Sequence, residues 1–177
     1  KANLGSGDKL LVIGASGAVG SAMVQISKHL GAEVTGVTSG PNADLVKSLG
    51  ASHVIDYQKE DFRTAAARYD VIAECTGSHT FSDCKDVLKP GGRFLGISAG
   101  LPDMFVMLWS NVVYGKRIIA GPAEETEELV QQAGQWTEAG IVKPVIDRSF
   151  RFDEMREAHA YVDRGRKRGS VVIEVAN

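Results

Sequence analysis

The segment Leu11-Val12-Ile13-Gly14-Ala15-Ser16-Gly17-Ala18-Val19-Gly20 constrains this chain more than any other, because glycines recur every third residue directly after an apolar run. Leu10-Leu11-Val12-Ile13 suits a strand buried on both faces. From Ser16 to Gly31, Val19, Met23, Ile26 and Leu30 recur at steps of three and four, which predicts a helix packed on that face and capped by Gly31. The segment therefore reads as strand, tight turn, helix. Gly14 and Gly17 shape the turn and let a phosphate approach the backbone, and Gly20 lets the helix lie close to the sheet. The unpaired amides of the helix start, around Ser16, Ala18 and Val19, are donors for a pyrophosphate. A glycine-rich turn with no ligand is the alternative. No Lys-Ser or Lys-Thr follows the loop, which argues against a triphosphatase loop.

The alternation continues. Val34 to Thr38, Val54 to Asp56, Tyr69 to Glu74, Arg93 to Ser98 and Arg117 to Gly121 read as further strands. Helices are expected at Ala43 to Leu49, Glu60 to Arg68, Thr80 to Leu88 and Glu124 to Ala139, with Pro90-Gly91-Gly92 as a break. Met104 to Val113 is apolar nearly all round and suits a buried or interfacial helix. Repeated strand-helix units require right-handed crossovers and a parallel sheet. The fold class is α/β, a doubly wound parallel six-stranded sheet with a C-terminal extension. Beyond Gly140 the pattern changes to an extended stretch to Phe150, a helix at Asp153 to Val162 and a strand at Val171 to Val175. The expected division is residues 1–140 as a dinucleotide-binding domain and 141–177 as a separate segment.

The end of the second strand indicates which dinucleotide. An acid there binds the ribose hydroxyls of NAD, but this chain has Thr38-Ser39-Gly40. Without that carboxylate a 2′-phosphate is not repelled, so NADPH is favoured and NADH is less so. Lys47 on the next helix is the nearest base in sequence, and an ordinary surface lysine is its alternative role.

These landmarks, with Ser48-Leu49-Gly50-Ala51, Val54-Ile55-Asp56-Tyr57, Leu88-Lys89-Pro90-Gly91-Gly92 and Arg168-Gly169-Ser170-Val171-Val172-Ile173 in order, resemble the medium-chain dehydrogenase/reductase superfamily. The likeness is to the Rossmann-like cofactor-binding half of its quinone oxidoreductase-like and zinc-type alcohol dehydrogenase-like members. The resemblance implies an oxidoreductase that moves a hydride from NADPH to a quinone, enone or other carbonyl substrate. It assigns Gly14, Ser16, Gly17, Ala18, Val19 and Gly20 to the pyrophosphate loop, Thr38, Ser39 and Asn42 to the adenosine ribose or its phosphate, and Tyr57 to the adenosine phosphate side. Quinone reductase-like relatives often carry lysine where this chain has Asn42. Thr76 and Gly77, with Ser98, Ala99 and Gly100, follow strands that line the cofactor cleft. The resemblance also implies a preceding GroES-like catalytic domain, to which residues 141–177 would return, and a homodimer through the sixth strand and its neighbouring apolar helix. The piece alone is expected to be inactive.

Two further readings stand beside this one, the cofactor domain of a zinc-dependent alcohol dehydrogenase and a non-enzymatic nucleotide-binding regulatory module. No catalytic residue is assigned. Cys75, His79 and Cys84 make no closed zinc pattern, so no metal ligand is assigned and zinc in the parent is left open. His29, His53 and His159 read as ordinary histidines, and Arg164 to Arg168 as an exposed charge run near a cofactor phosphate at most. A formal charge of -2 gives no basic field for nucleic acid. The two cysteines build no disulfide framework, and no run is long enough for a membrane helix. A cytoplasmic protein with a small-molecule substrate is expected.

Overall fold

Continuous apolar runs become the central strands of a sheet covered on both faces. The computed structural model describes residues 2–97, 107, 110, 112–121 and 126–175. In chain order the elements are β1 (Lys9–Ile13), α1 (Ala18–His29), β2 (Glu33–Thr38), α2 (Ala43–Ser48), β3 (His53–Asp56), β4 (Tyr69–Glu74), α3 (Phe81–Cys84), β5 (Leu88–Gly96), β6 (Arg117–Ala120), α4 (Glu127–Glu138), β7 (Ile146–Arg151), α5 (Met155–Asp163) and β8 (Ser170–Glu174).

Six strands pair in the order β3-β2-β1-β4-β5-β6, every neighbour parallel. The expected Rossmann-like sheet is therefore present, with β7 and β8 as a separate parallel pair. Strand order reverses between β1 and β4, so the ends of these two strands open a crevice at the switch point. Alternation along β1 feeds both layers: Leu11 and Ile13 join Phe81 and Phe94 on one face, and Leu10 and Val12 join Val24 and Val46 on the other. Each such fully buried side chain stabilises the fold by about 1.5 to 3 kcal/mol.

Several local expectations are corrected. Helix α1 turns Gly20, Val24 and Ser27 toward the sheet, while Val19 is 47% exposed and Leu30 is also exposed. The tight turn fixes the rotation of the helix about its axis, because a Cβ on Gly20 would overlap the Gly14 carbonyl. The buried face of α1 therefore lies one residue beyond the apolar spacing in part of the helix. Glu60 to Arg68 forms no α-helix but a 3-10 turn at Phe62–Thr64. Asp61 caps it by accepting from Arg63 N–H, only Phe62 is deeply buried, and Arg68 hydrogen-bonds the carbonyls of Ala65, Ala66 and Ala67. A helix there would have one apolar residue to bury, too little to offset its ordering.

Helix α3 ends at Cys84 and tightens to 3-10 over Lys85–Val87, though Thr80 caps its start as a reciprocal box with Asp83. Pro90-Gly91-Gly92 does not precede β5 but lies inside it, as a bulge where the pairing jumps from Tyr69 opposite Leu88 to Val71 opposite Arg93. Helix α4 starts at Glu127, capped by Thr126; Glu124 and Glu125 lie outside the described residues. Most of the expected Met104 to Val113 helix also lies outside them, with Met107, Ser110 and residues 112–114 helical.

Candidate functional site: a glycine-lined cleft at the sheet switch point

The turn after β1 is built for close approach. Gly14 has φ +80°, and a Cβ there would collide with the Thr76 side chain. Gly17 caps α1 with no side-chain hydrogen bond, and no acid occupies the first turn. The amides of Ala18, Val19 and Gly20 at this helix start lack intrahelical acceptors. They form a positive pole open to an anion.

Beside this pole, the Thr38 hydroxyl donates to Ser16 Oγ at 2.8 Å. Asn42 Nδ2 donates to Ser16 Oγ and to Ser39 Oγ, each at 3.2 Å. Loop, β2 end and α2 start are thereby joined into one polar wall. It borders a cleft of about 1030 Å³ lined by Gly14, Ser16, Gly17, Ala18, Val19, Gly20, Thr38, Ser39, Asn42, Tyr57 and Thr76. Gly77 is outside that lining; with φ +76° it donates its N–H to Glu74 Oε2 at 2.7 Å. Ser98, Ala99 and Gly100 lie outside the described residues.

The basic run read chiefly as an exposed charge cluster is brought to the same cleft. Arg166, Lys167 and Arg168 line the same cleft, and the loop that carries them is fixed against the glycine turn. Gly169 N–H donates to the Ser16 carbonyl at 2.7 Å, and Gly169 bridges Gly17 in parallel. Lys167 Nζ donates to the Gly169 carbonyl at 2.6 Å. Lys47 is exposed and absent from the lining. The basic groups near the loop therefore come from far along the chain, and the only sequence signal was the charge run itself.

The same lining includes Tyr57, Gln58, Glu60, Asp61, Phe62, Arg63, Ser78 and His79. The Arg63 guanidinium bonds both oxygens of Asp61, at 2.9 and 2.7 Å, and holds that carboxyl below its usual value. The Thr80 backbone N–H, then its hydroxyl, does the same for Asp83. Burial pushes the Cys75 thiol up to about 12, with the adjacent Glu74 adding to the rise. A thiol so held is the reverse of the thiolate that a zinc ion takes. Among the described residues no group of three His, Cys, Asp or Glu side chains is placed to hold a metal ion.

Residues 49–173 match a family model described as zinc-binding dehydrogenase. Among curated proteins, the 2-methylene-furan-3-one reductase of Solanum lycopersicum is 32% identical over 179 residues, covering 98% of this chain and 42% of that protein. The mitochondrial NAD(P)H oxidoreductase RTN4IP1 of Homo sapiens is 32% identical over 199 residues, covering 96% of this chain and 48% of that one. Among solved structures, the quinone oxidoreductase from Coxiella burnetii superposes with a TM-score of 0.89 at 24% identity, over 99% of this chain and 55% of that chain. This last likeness concerns the fold. The chain spans about half the length of the curated relatives it matches.

Proposed function

Because this chain belongs to the medium-chain dehydrogenase/reductase superfamily, we propose that it is the cofactor-binding portion of an oxidoreductase that transfers hydride from NADPH to an enone, quinone or other carbonyl compound. The observation that carries the reading is the meeting of an uncapped α1 start, a β2 end with no acidic residue of its own and a basic loop in one cleft.

In this reading the pyrophosphate lies on the amides of Ala18, Val19 and Gly20. Thr38, Ser39 and Asn42 receive the adenosine ribose, and Arg166, Lys167 and Arg168 supply the charge for its 2′-phosphate. Asp56, at the end of β3, accepts from Gln58 N–H at 3.1 Å and lies 3.7 Å from Lys59 Nζ, and its carboxylate also stands close against Gly40. The bound cofactor supplies the hydride, and this chain's residues bind and orient it. The name of the Solanum relative, a 2-methylene-furan-3-one reductase, supports the enone among these substrate classes. The described residues do not fit a zinc ion, so no step is routed through one.

We infer also that residues 1–140 form the nucleotide-binding domain and that 141–177 return to a preceding catalytic domain. Ile146, Phe152 and Val175 stand 57%, 60% and 75% exposed, as residues with a missing neighbour would. The edge position of β6 in the described sheet, with the exposed Val112 and Val113 shortly before it in sequence, is the proposed contact of a homodimer.

Calorimetric titration of the chain with NADPH and NADH tests the cofactor reading. Saturable binding with NADPH the tighter is expected. Absence of binding to both overturns the reading, and tighter NADH removes the preference.

A further inference from the structure

The cleft contains a hydrogen-bond chain that cofactor placement leaves unused. Glu74, at the end of β4, is 1% exposed, yet three donors converge on its carboxylate. Thr76 N–H at 3.0 Å and the Thr76 hydroxyl reach Oε1, and Gly77 N–H at 2.7 Å reaches Oε2. The Thr76 hydroxyl is in turn hydrogen-bonded with Ser78 Oγ, which lies 2.9 Å from His79 Nδ1. The chain thus runs from a buried acid through two hydroxyls to an imidazole that lines the cavity.

Counting hydrogens fixes its direction. Three gaps each need one hydrogen, and in the first the Thr76 hydroxyl donates to Glu74. The first gap takes the Thr76 hydroxyl hydrogen and the second that of Ser78. Only the Nδ1–H of His79 remains for the third. That arrangement corresponds to the Nδ1–H tautomer of the imidazole, which leaves Nε2 as the acceptor. Phe62 packs edge-to-face on the same ring, with centroids 5.2 Å apart at 71°.

We propose that Glu74, Thr76 and Ser78 act as positioning residues that fix His79 in this tautomer, so that Nε2 accepts a hydrogen bond from the exocyclic amine of an adenine ring. This rests on the dinucleotide reading above. The lining that holds the glycine turn, Thr38 and Ser39 also includes Tyr57, Phe62 and His79, to which this proposal assigns the base. Two aromatic side chains offer stacking or edge contact there, and the imidazole offers one directional polar group.

Two measurements test it, the first without any nucleotide. A two-bond proton-nitrogen correlation spectrum of the imidazoles in the 177-residue chain, recorded about two pH units above the ordinary histidine value of ~6.5, reports the tautomers directly. The resonances deleted by H79Q are expected to show a protonated Nδ1 and a bare Nε2, and S78A is expected to move them toward the Nε2–H form. Protonation at Nε2 in the unaltered chain overturns the relay. The second is titration with 2′,5′-ADP against its hypoxanthine counterpart, in which a carbonyl replaces the amine. A preference for adenine of about tenfold is expected, lost in H79A and S78A. Equal binding of both by the unaltered chain overturns the base-reading role. If neither nucleotide nor NADPH binds, the dinucleotide reading and the base-reading role fall together, while the spectrum separately decides the tautomer.

Discussion

Gln25 on α1 clasps the backbone of Lys143 with both ends of its amide: Nε2 donates to the Lys143 carbonyl at 3.0 Å, and Oε1 accepts from the Lys143 N–H at 2.9 Å. The pair lies 118 positions apart in sequence and anchors the segment after Gly140 to the helix that opens the phosphate site. Gln25→Ala leaves both backbone groups of Lys143 without this partner and is expected to cost about 1 to 3 kcal/mol. Faster hydrogen exchange at the Lys143 amide, with quicker proteolysis between Ile141 and Val145, is the expected local signature.

Replacement of Gly20 tests the close approach of helix to turn. A Cβ there would overlap the Gly14 carbonyl and meet Ala15 Cα at 2.9 Å, backbone atoms with little room to give. Gly20→Ala is expected to lose about 1 to 3 kcal/mol in chemical denaturation. A loss below about 0.5 kcal/mol would show that the turn relaxes freely.

The basic loop should discriminate between the two cofactors. Arg166→Ala with Arg168→Ala removes charge facing the proposed 2′-phosphate and leaves the glycine turn intact. NADPH affinity is expected to fall about tenfold or more, with NADH affinity nearly unchanged. The salt dependence of NADPH binding should flatten in the double variant.

Asp70 supplies a pH test. Partial burial would raise its pKa, but the hydrogen bond from Lys89 Nζ and that from Lys9 N–H outweigh this and hold it below the ordinary 3.8. A folded-state value lower than the unfolded one gives stability that is complete above the ordinary carboxylate range. That stability is lost as pH falls through the depressed value. Allowing for solvent screening of the partly exposed Lys89, Asp70→Asn is expected to cost about 1 kcal/mol at neutral pH and much less near pH ~2 to 3, read from denaturant midpoints at the two pH values.

Cys75, with its thiol pushed up to about 12, should resist alkylation in the folded chain. At pH ~8 its rate with iodoacetamide is expected to be suppressed about a thousandfold relative to an ordinary thiol. Both Cys75 and Cys84 should label fully in denaturant. Rapid native labelling traced to Cys75 by mass spectrometry would contradict the buried, neutral thiol.

Local sequence was informative where one residue pattern admitted one structure. The cores of β1, β2 and β4 are apolar runs too short for helices, and Tyr69 to Glu74 was found at its expected bounds. Gly31 and Gly50 end α1 and α2 with φ of +83° and +111°, a conformation that glycine adopts without strain. The phosphate-loop residues and Thr38 were legible for the same reason, since close backbone approach demands small residues at fixed spacing. The helix expected from Glu60 to Arg68 failed because helical composition does not supply a face to bury, and Asp61 offered the backbone a competing cap.

The sequence by itself determined the parallel α/β class, the glycine turn and the absence of an acid at the end of β2. Each follows from steric and hydrogen-bonding rules that act over a few neighbouring residues. Tertiary structure alone decided the rotation of α1 and the convergence of Arg166 to Arg168 on a turn formed some 150 residues earlier. Those depend on which distant surfaces pack together, and packing is set by the shape of the whole core.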